Sequence, residues 1–134
     1  MTKLKVYIAS PYTNGSSAIN VRRQLEAQKV LMDAGFVPFA PLIAHFIDIY
    51  HPRPEHQWLD WDIEWLKVCD FLVRLRPTDG DGMEVPSKGS DLEEKTADDN
   101  DIPVYNFESV EELKIWLDNY RVDDIISDIK LLKK

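Results

Sequence analysis

The chain reads as an α/β protein, a single domain on a parallel sheet of about four to five strands with helices on both faces. Two observations predict this. Short runs rich in β-branched and aromatic residues alternate with stretches of helical periodicity, and sequential strands joined by helices pair in parallel. The 134 residues, 44% of them hydrophobic and only five of them glycine, suit one compact core and are too few for two.

The elements follow in order. Residues 5–10 (KVYIAS) read as a buried strand that ends before Pro11, and a polar loop over 13–17 leads to helical periodicity over 18–34, stopped by Gly35. Residues 36–40 (FVPFA) form a second short strand, and Pro38 predicts an edge or irregular position for it. An apolar stretch over 42–50 ends at HPRP, residues 51–54. Residues 55–68 then read as a helix with Trp58, Trp61 and Trp65 on one face, which large aromatics at that spacing predict to be core, with a base-binding pocket as the other reading.

A third strand is expected over 70–75 (DFLVRL) and a turn within 76–86. The TDGDG sequence there lacks the further oxygen ligands of a calcium loop. A helix of about three turns follows SKGS, and a fourth strand covers 102–107. The acidic run 91–101 reads as a solvated helix face. Residues 109–134 form a C-terminal helical segment of the same 1–134 domain, with an interruption near Tyr120 to Asp123. The order predicts a flavodoxin/Rossmann-like sheet whose ligand crevice lies at the carboxyl ends of the strands.

Composition narrows the function. Cys69 is the lone cysteine, so neither a disulfide framework nor a CxxC motif is present, and no His, Cys and carboxylate spacing fits zinc. No metal and no cofactor is expected. No apolar run is long enough to span a bilayer, and MTKLKVYIAS leads into a strand rather than a signal-peptide core. These features predict a cytoplasmic protein with no membrane partner. A net charge of −8 argues against polymeric nucleic acid and for a small molecule, with Arg22, Arg23, Arg53 or Lys88 available to an anionic group.

Chemistry concentrates in SKGSDLEE, residues 87–94, a small-residue turn opening a helix after a strand. Ser90 to Glu93 fits a capping box, in which serine and glutamate satisfy free helix amides. The same spacing recurs at Ser109 to Glu112, where nothing else suggests chemistry. Spacing alone therefore leaves Glu93 as either a cap or a reactive carboxylate. Residues 14–16 (Asn14, Gly15, Ser16) form another small polar loop suited to phosphate. His45, in the apolar PLIAHF, reads as a packed core histidine or a wall of a base pocket.

Three separated pieces, KVYIASPY, DIEWLKVCD and SKGSDLEEKTA, together resemble the nucleoside 2-deoxyribosyltransferase family, which includes the 2'-deoxynucleoside 5'-monophosphate N-glycosidases. The resemblance spans roughly residues 4–107. It implies Glu93 as the nucleophile that captures the anomeric carbon, Tyr7 as the phenol that orients it, and Asp62 as the acid for the leaving base. Asp62 without that resemblance reads as an exposed or ion-paired helical aspartate. Substrate contacts are implied at Ser10, Tyr12, Gly15, Ser16, Ser87, Gly89 and Ser90, with His45 at the base. A helix start would keep Glu93 ionised.

The substrate implied is a deoxynucleoside or deoxynucleotide, and the assembly a homo-oligomer. Transfer of the 2-deoxyribosyl group to another nucleobase is the leading expectation, hydrolysis of a 5'-monophosphate the second, and nucleotide binding without catalysis the third. Where many relatives carry glycine after the glutamate, this chain has Glu94, which leaves the nucleophile open between two neighbours. No equivalent is found for the asparagine that a neighbouring subunit's C-terminal segment supplies in the transferases.

Overall fold

Alternation along two central strands organises the molecule. In the computed structural model, which describes residues 3–134 apart from the side chain of His45, β1 (Lys5–Ala9) and β3 (Phe71–Leu75) are hydrogen-bonded neighbours. They are flanked by β2 (Val37–Phe39) and β4 (Val104–Phe107) in the order β2-β1-β3-β4, every pair parallel. This is the α/β, flavodoxin-like arrangement read from the alternating pattern, with four strands. Successive residues of a strand point to opposite faces. Val6, Ile8, Phe71, Val73 and Leu75 therefore enter one core, and Tyr7, Ala9 and Leu72 the other.

The first core is closed by α1 (Ser17–Asp33), α5 (Val110–Asn119) and α6 (Val122–Leu132), through Ala27, Leu31, Leu113 and Ile125. Gly35, at φ +95°, ends α1 in the left-handed conformation that glycine adopts without a Cβ penalty. Between α5 and α6 the chain breaks at 120–121, and both Tyr105 and Tyr120 donate hydroxyl hydrogen bonds to Asp128, holding α6 to its own sheet. The expected TDGDG turn is a small antiparallel hairpin closed by the Thr78–Glu84 bridge.

The opposite face carries α3 (Glu55–Leu66) and α4 (Lys88–Asp99), which pack on each other and, through Leu66 and Ala97, on the sheet. A 3-10 turn (Pro41–Ile43) and α2 (Ala44–Tyr50) link β2 to α3. Here the tryptophan reading is corrected. The buried residues of α3 are Asp62 and Leu66, so Trp61 and Trp65, about 100° round the helix, turn outward, while half-buried Trp58 lines the cavity and donates to Asp48 Oδ1 at 2.7 Å. Trp61 and Trp65 are 39% and 46% exposed and pack on Phe39 instead of entering a core.

Candidate active site

The crevice opens where the chain leaves β1 and β3 for opposite sides of the sheet, the usual ligand position in such folds. A cavity of about 650 Å³ lies there, lined by residues following β1 (Ser10, Tyr12, Asn14), by α3 and by the start of α4. Asp62 and Glu93 both face it, and both are buried, at 9% and 5% exposure. Fully buried Tyr7 stands behind Glu93, and its hydroxyl donates a hydrogen bond to Glu93 Oε2 across 86 residues of sequence. Asp62 Oδ1 is buried with no hydrogen-bond partner.

Burial sets the electrostatics, since removing a carboxylate from water disfavours its charge. It pushes the Glu93 carboxyl well above the ordinary range, the Asp62 charge pushes the same way, and the Tyr7 hydroxyl and the Arg74 cation pull back. Asp62 is also pushed up by burial, with no donor to offset it. Tyr7 is raised by burial first and then by the Glu93 charge, so its phenol stays protonated as a donor. The expectation that the helix start keeps Glu93 ionised is therefore overturned. Glu93 lies in the second turn of α4, beyond the reach of the end amides, and desolvation outweighs the dipole.

The capping-box reading of Ser90 and Glu93 is corrected as well. Ser87 is the N-cap: its Oγ accepts from Ser90 N at 3.1 Å and donates to Ser90 Oγ at 2.9 Å, which leaves Glu93 to Tyr7. At α5 the look-alike motif does cap, with Ser109 Oγ accepting from Glu112 N at 3.1 Å. Glu94 is directed away from the cavity and accepts from buried Arg74 at 3.2 Å. The acidic run is thus not simply a solvated face, because Asp91 also pairs with Arg74, at 2.6 Å.

Of the residues implied for substrate, Ser10, Tyr12, Ser87, Gly89 and Ser90 line the cavity. Gly15 and Ser16 do not; Gly15 makes a turn at φ +77° and Ser16 caps α1 by accepting from Ile19 N at 3.3 Å. His45 falls within α2, and its side chain lies outside the described residues. Gln24 was not legible as a site residue. Fully buried on α1, it donates to Ser10 Oγ at 2.9 Å and accepts from Leu42 N at 2.8 Å, tying two cavity walls together. Asn14 similarly joins the loop after β1 to the loop before α4, donating to Pro86 O at 2.8 Å. A buried glutamine at an otherwise apolar helical position was the signal available for the first of these.

The described residues contain no group of three His, Cys, Asp or Glu side chains able to hold a metal ion, and no helix long and apolar enough to cross a membrane. The fold and the cavity define an α/β protein with two buried carboxyls, Asp62 and Glu93, lining a crevice at the carboxyl ends of its strands. Residues 4–107 match the family described as a domain of unknown function (DUF7768), and the chain belongs to that family. No curated protein matches the chain. Among solved structures, the chain is similar to a 2-deoxyribosyltransferase from the psychrotolerant bacterium Bacillus psychrosaccharolyticus. The likeness covers 90% of this chain and 95% of that one, with a TM-score of 0.60 and 20% identity, a likeness of fold.

Proposed function

We propose that the protein cleaves the N-glycosidic bond of 2'-deoxynucleosides and transfers the 2-deoxyribosyl group to another nucleobase. One observation carries this reading: a buried carboxylate, Glu93, bonded by the Tyr7 hydroxyl and sharing a cavity with a second buried carboxyl, Asp62, whose Oδ1 has no partner. The transferase-like fold supports it.

Two carboxyls that burial holds back from ionising share protons, and their environments decide where the charge sits. The reactive form is the one with the charge on Glu93, which the Tyr7 hydroxyl and the Arg74 cation favour against burial, and with the proton on Asp62, whose Oδ1 has no donor. Glu93 then attacks the anomeric carbon as the bond to the base breaks, giving a glycosyl ester. Asp62 gives its proton to the departing base. An incoming base attacks the same carbon, displaces Glu93 and returns a proton to Asp62.

Incubating the protein with a deoxynucleoside and a second free base tests this reading. A new deoxynucleoside is expected, and its absence together with no release of free base from any deoxynucleoside or deoxynucleotide would sink it. A specific observation favours hydrolysis of 5'-monophosphates as the second reading: Arg53 and Lys88 line the same cavity as the amides and serines at the start of α4. Base release confined to monophosphates and indifferent to an acceptor base selects that reading; tight nucleotide binding without turnover selects a binding module. The homo-oligomer is part of the same proposal. Exposed Phe46, Ile49 and Tyr50 of α2 and exposed Trp61 and Trp65 of α3 supply apolar surface for it, which sedimentation of the full chain tests.

A further inference from the structure

Arg74 is a cation in the middle of the sheet, 4% exposed, on the site face of β3 and beside Ala9 in register. Its two terminal nitrogens reach one helix: Nη2 contacts Asp91 Oδ1 at 2.6 Å and Nη1 contacts Glu94 Oε1 at 3.2 Å. Arg76 adds a longer contact to Glu94, at 3.7 Å. Asp91 and Glu94 are three residues apart and so share one stripe of α4. Ser90, Glu93 and Ala97 form the adjoining buried stripe. Turning α4 by one residue, about 100°, would put Glu94 where Glu93 stands.

We propose that Arg74 is a positioning residue: by gripping Asp91 and Glu94 it fixes the rotation of α4, so that Glu93 and not Glu94 meets Tyr7 and the cavity. The inference rests on the transfer reading of Glu93 and adds to it the device that chooses between two adjacent carboxylates. A purely structural strut would be an expensive choice here, because Arg74 Nε is buried without a partner and an apolar pair would avoid that cost. Its charge has a second effect. The charged or titratable groups about Glu93 are Tyr7 from β1, Asp62 from α3 and Arg74 from β3, with Lys88, Asp91 and Glu94 on its own helix; β4 turns Val104 to this face. Arg74 is the cation of that set drawn from the sheet, and Glu94 competes with Glu93 for it.

The test is the titration of the Glu93 carboxyl in the full chain, followed by carbon-13 NMR of labelled glutamate and assigned by its loss in Glu93→Gln. Arg74→Met is expected to move that titration upward by about one pH unit or more, while Arg74→Lys restores most of it. Glu94→Gln, which frees Arg74 for Glu93, moves it downward. In turnover, Arg74→Met lowers kcat by on the order of 10²-fold with KM little changed, as misplacement of a reacting group does. An unmoved Glu93 titration in folded Arg74→Met, or a Glu94→Gln shift upward like that of Arg74→Met, overturns the proposal. If Arg74→Met fails to fold, the direction of the Glu94→Gln shift and recovery in Arg74→Lys decide it alone. The titration needs no substrate, so it stands or falls separately from the transfer activity.

Discussion

On the side of the sheet covered by α1, α5 and α6, β1 and β3 present Val6, Ile8, Phe71, Val73 and Leu75, each at most 1% exposed. On the side covered by α3 and α4, the same strands present Tyr7 and Arg74, which meet Glu93, Glu94 and Asp91. The two faces differ by one step along each strand; both bury an apolar cluster, and the second also buries Arg74, Asp62 and Glu93. Apolar burial on the first face stabilises the fold. Desolvation on the second holds two carboxyls back from ionising and so costs stability at neutral pH.

The comparison can be broken most sharply at Glu93. Glu93→Ala is expected to lower deoxyribosyl transfer by on the order of 10³-fold or more, with far-UV circular dichroism unchanged; a folded variant with wild-type turnover would refute the catalytic assignment. On the other face, Leu113→Ala removes a fully buried side chain and should cost about 3 kcal/mol in urea unfolding. That loss should be the same at pH 5 and pH 8, since the phenols packed against its cluster, Tyr105 and Tyr120, are held above their ordinary range and stay protonated at both.

Glu93→Gln should behave in the opposite way. The folded protein retains protons on Asp62 and Glu93 at pH values where the unfolded chain has released them. Their contribution is therefore present below the ordinary carboxylate range and falls as pH rises through the raised folded values. Glu93→Gln removes part of that fall, so the variant should gain about 2 kcal/mol over wild type at pH 8 and little at pH 5. Equal effects at both pH values would remove the claim that this face costs stability. The smallest effect is expected at Tyr7→Phe, where losing one hydrogen bond to a carboxylate should slow transfer about tenfold and raise the pH of the acidic limb of the rate profile; an unchanged limb would leave Tyr7 as packing only.

Much of the architecture was legible in local pattern. Runs such as KVYIA and FLVRL, the stop at Gly35 and the break near Tyr120 depend on neighbours in sequence and formed within a residue or two of their expected bounds, whereas α4 begins at Lys88, inside the SKGS expected to precede it. The site was legible only in part. Ser87 and Ser90 compete for the same cap, and sequence spacing does not say which hydroxyl reaches the free amides. Nor does an outward tryptophan stripe differ in periodicity from an inward one; the difference is which side of α3 meets α4.

By itself the sequence determined the alternation of strands and helices and the residues able to do chemistry, because hydrophobic period, turn residues and side-chain type are local properties. It took the folded arrangement to show that Tyr7 meets Glu93, that Asp62 is left with an unpaired oxygen over the same cavity, and that Arg74 pairs with Glu94. Those outcomes depend on strand register and helix rotation, which bring together groups up to 86 residues apart. They also depend on burial, which turns an acidic helix start into a site where charge is held back.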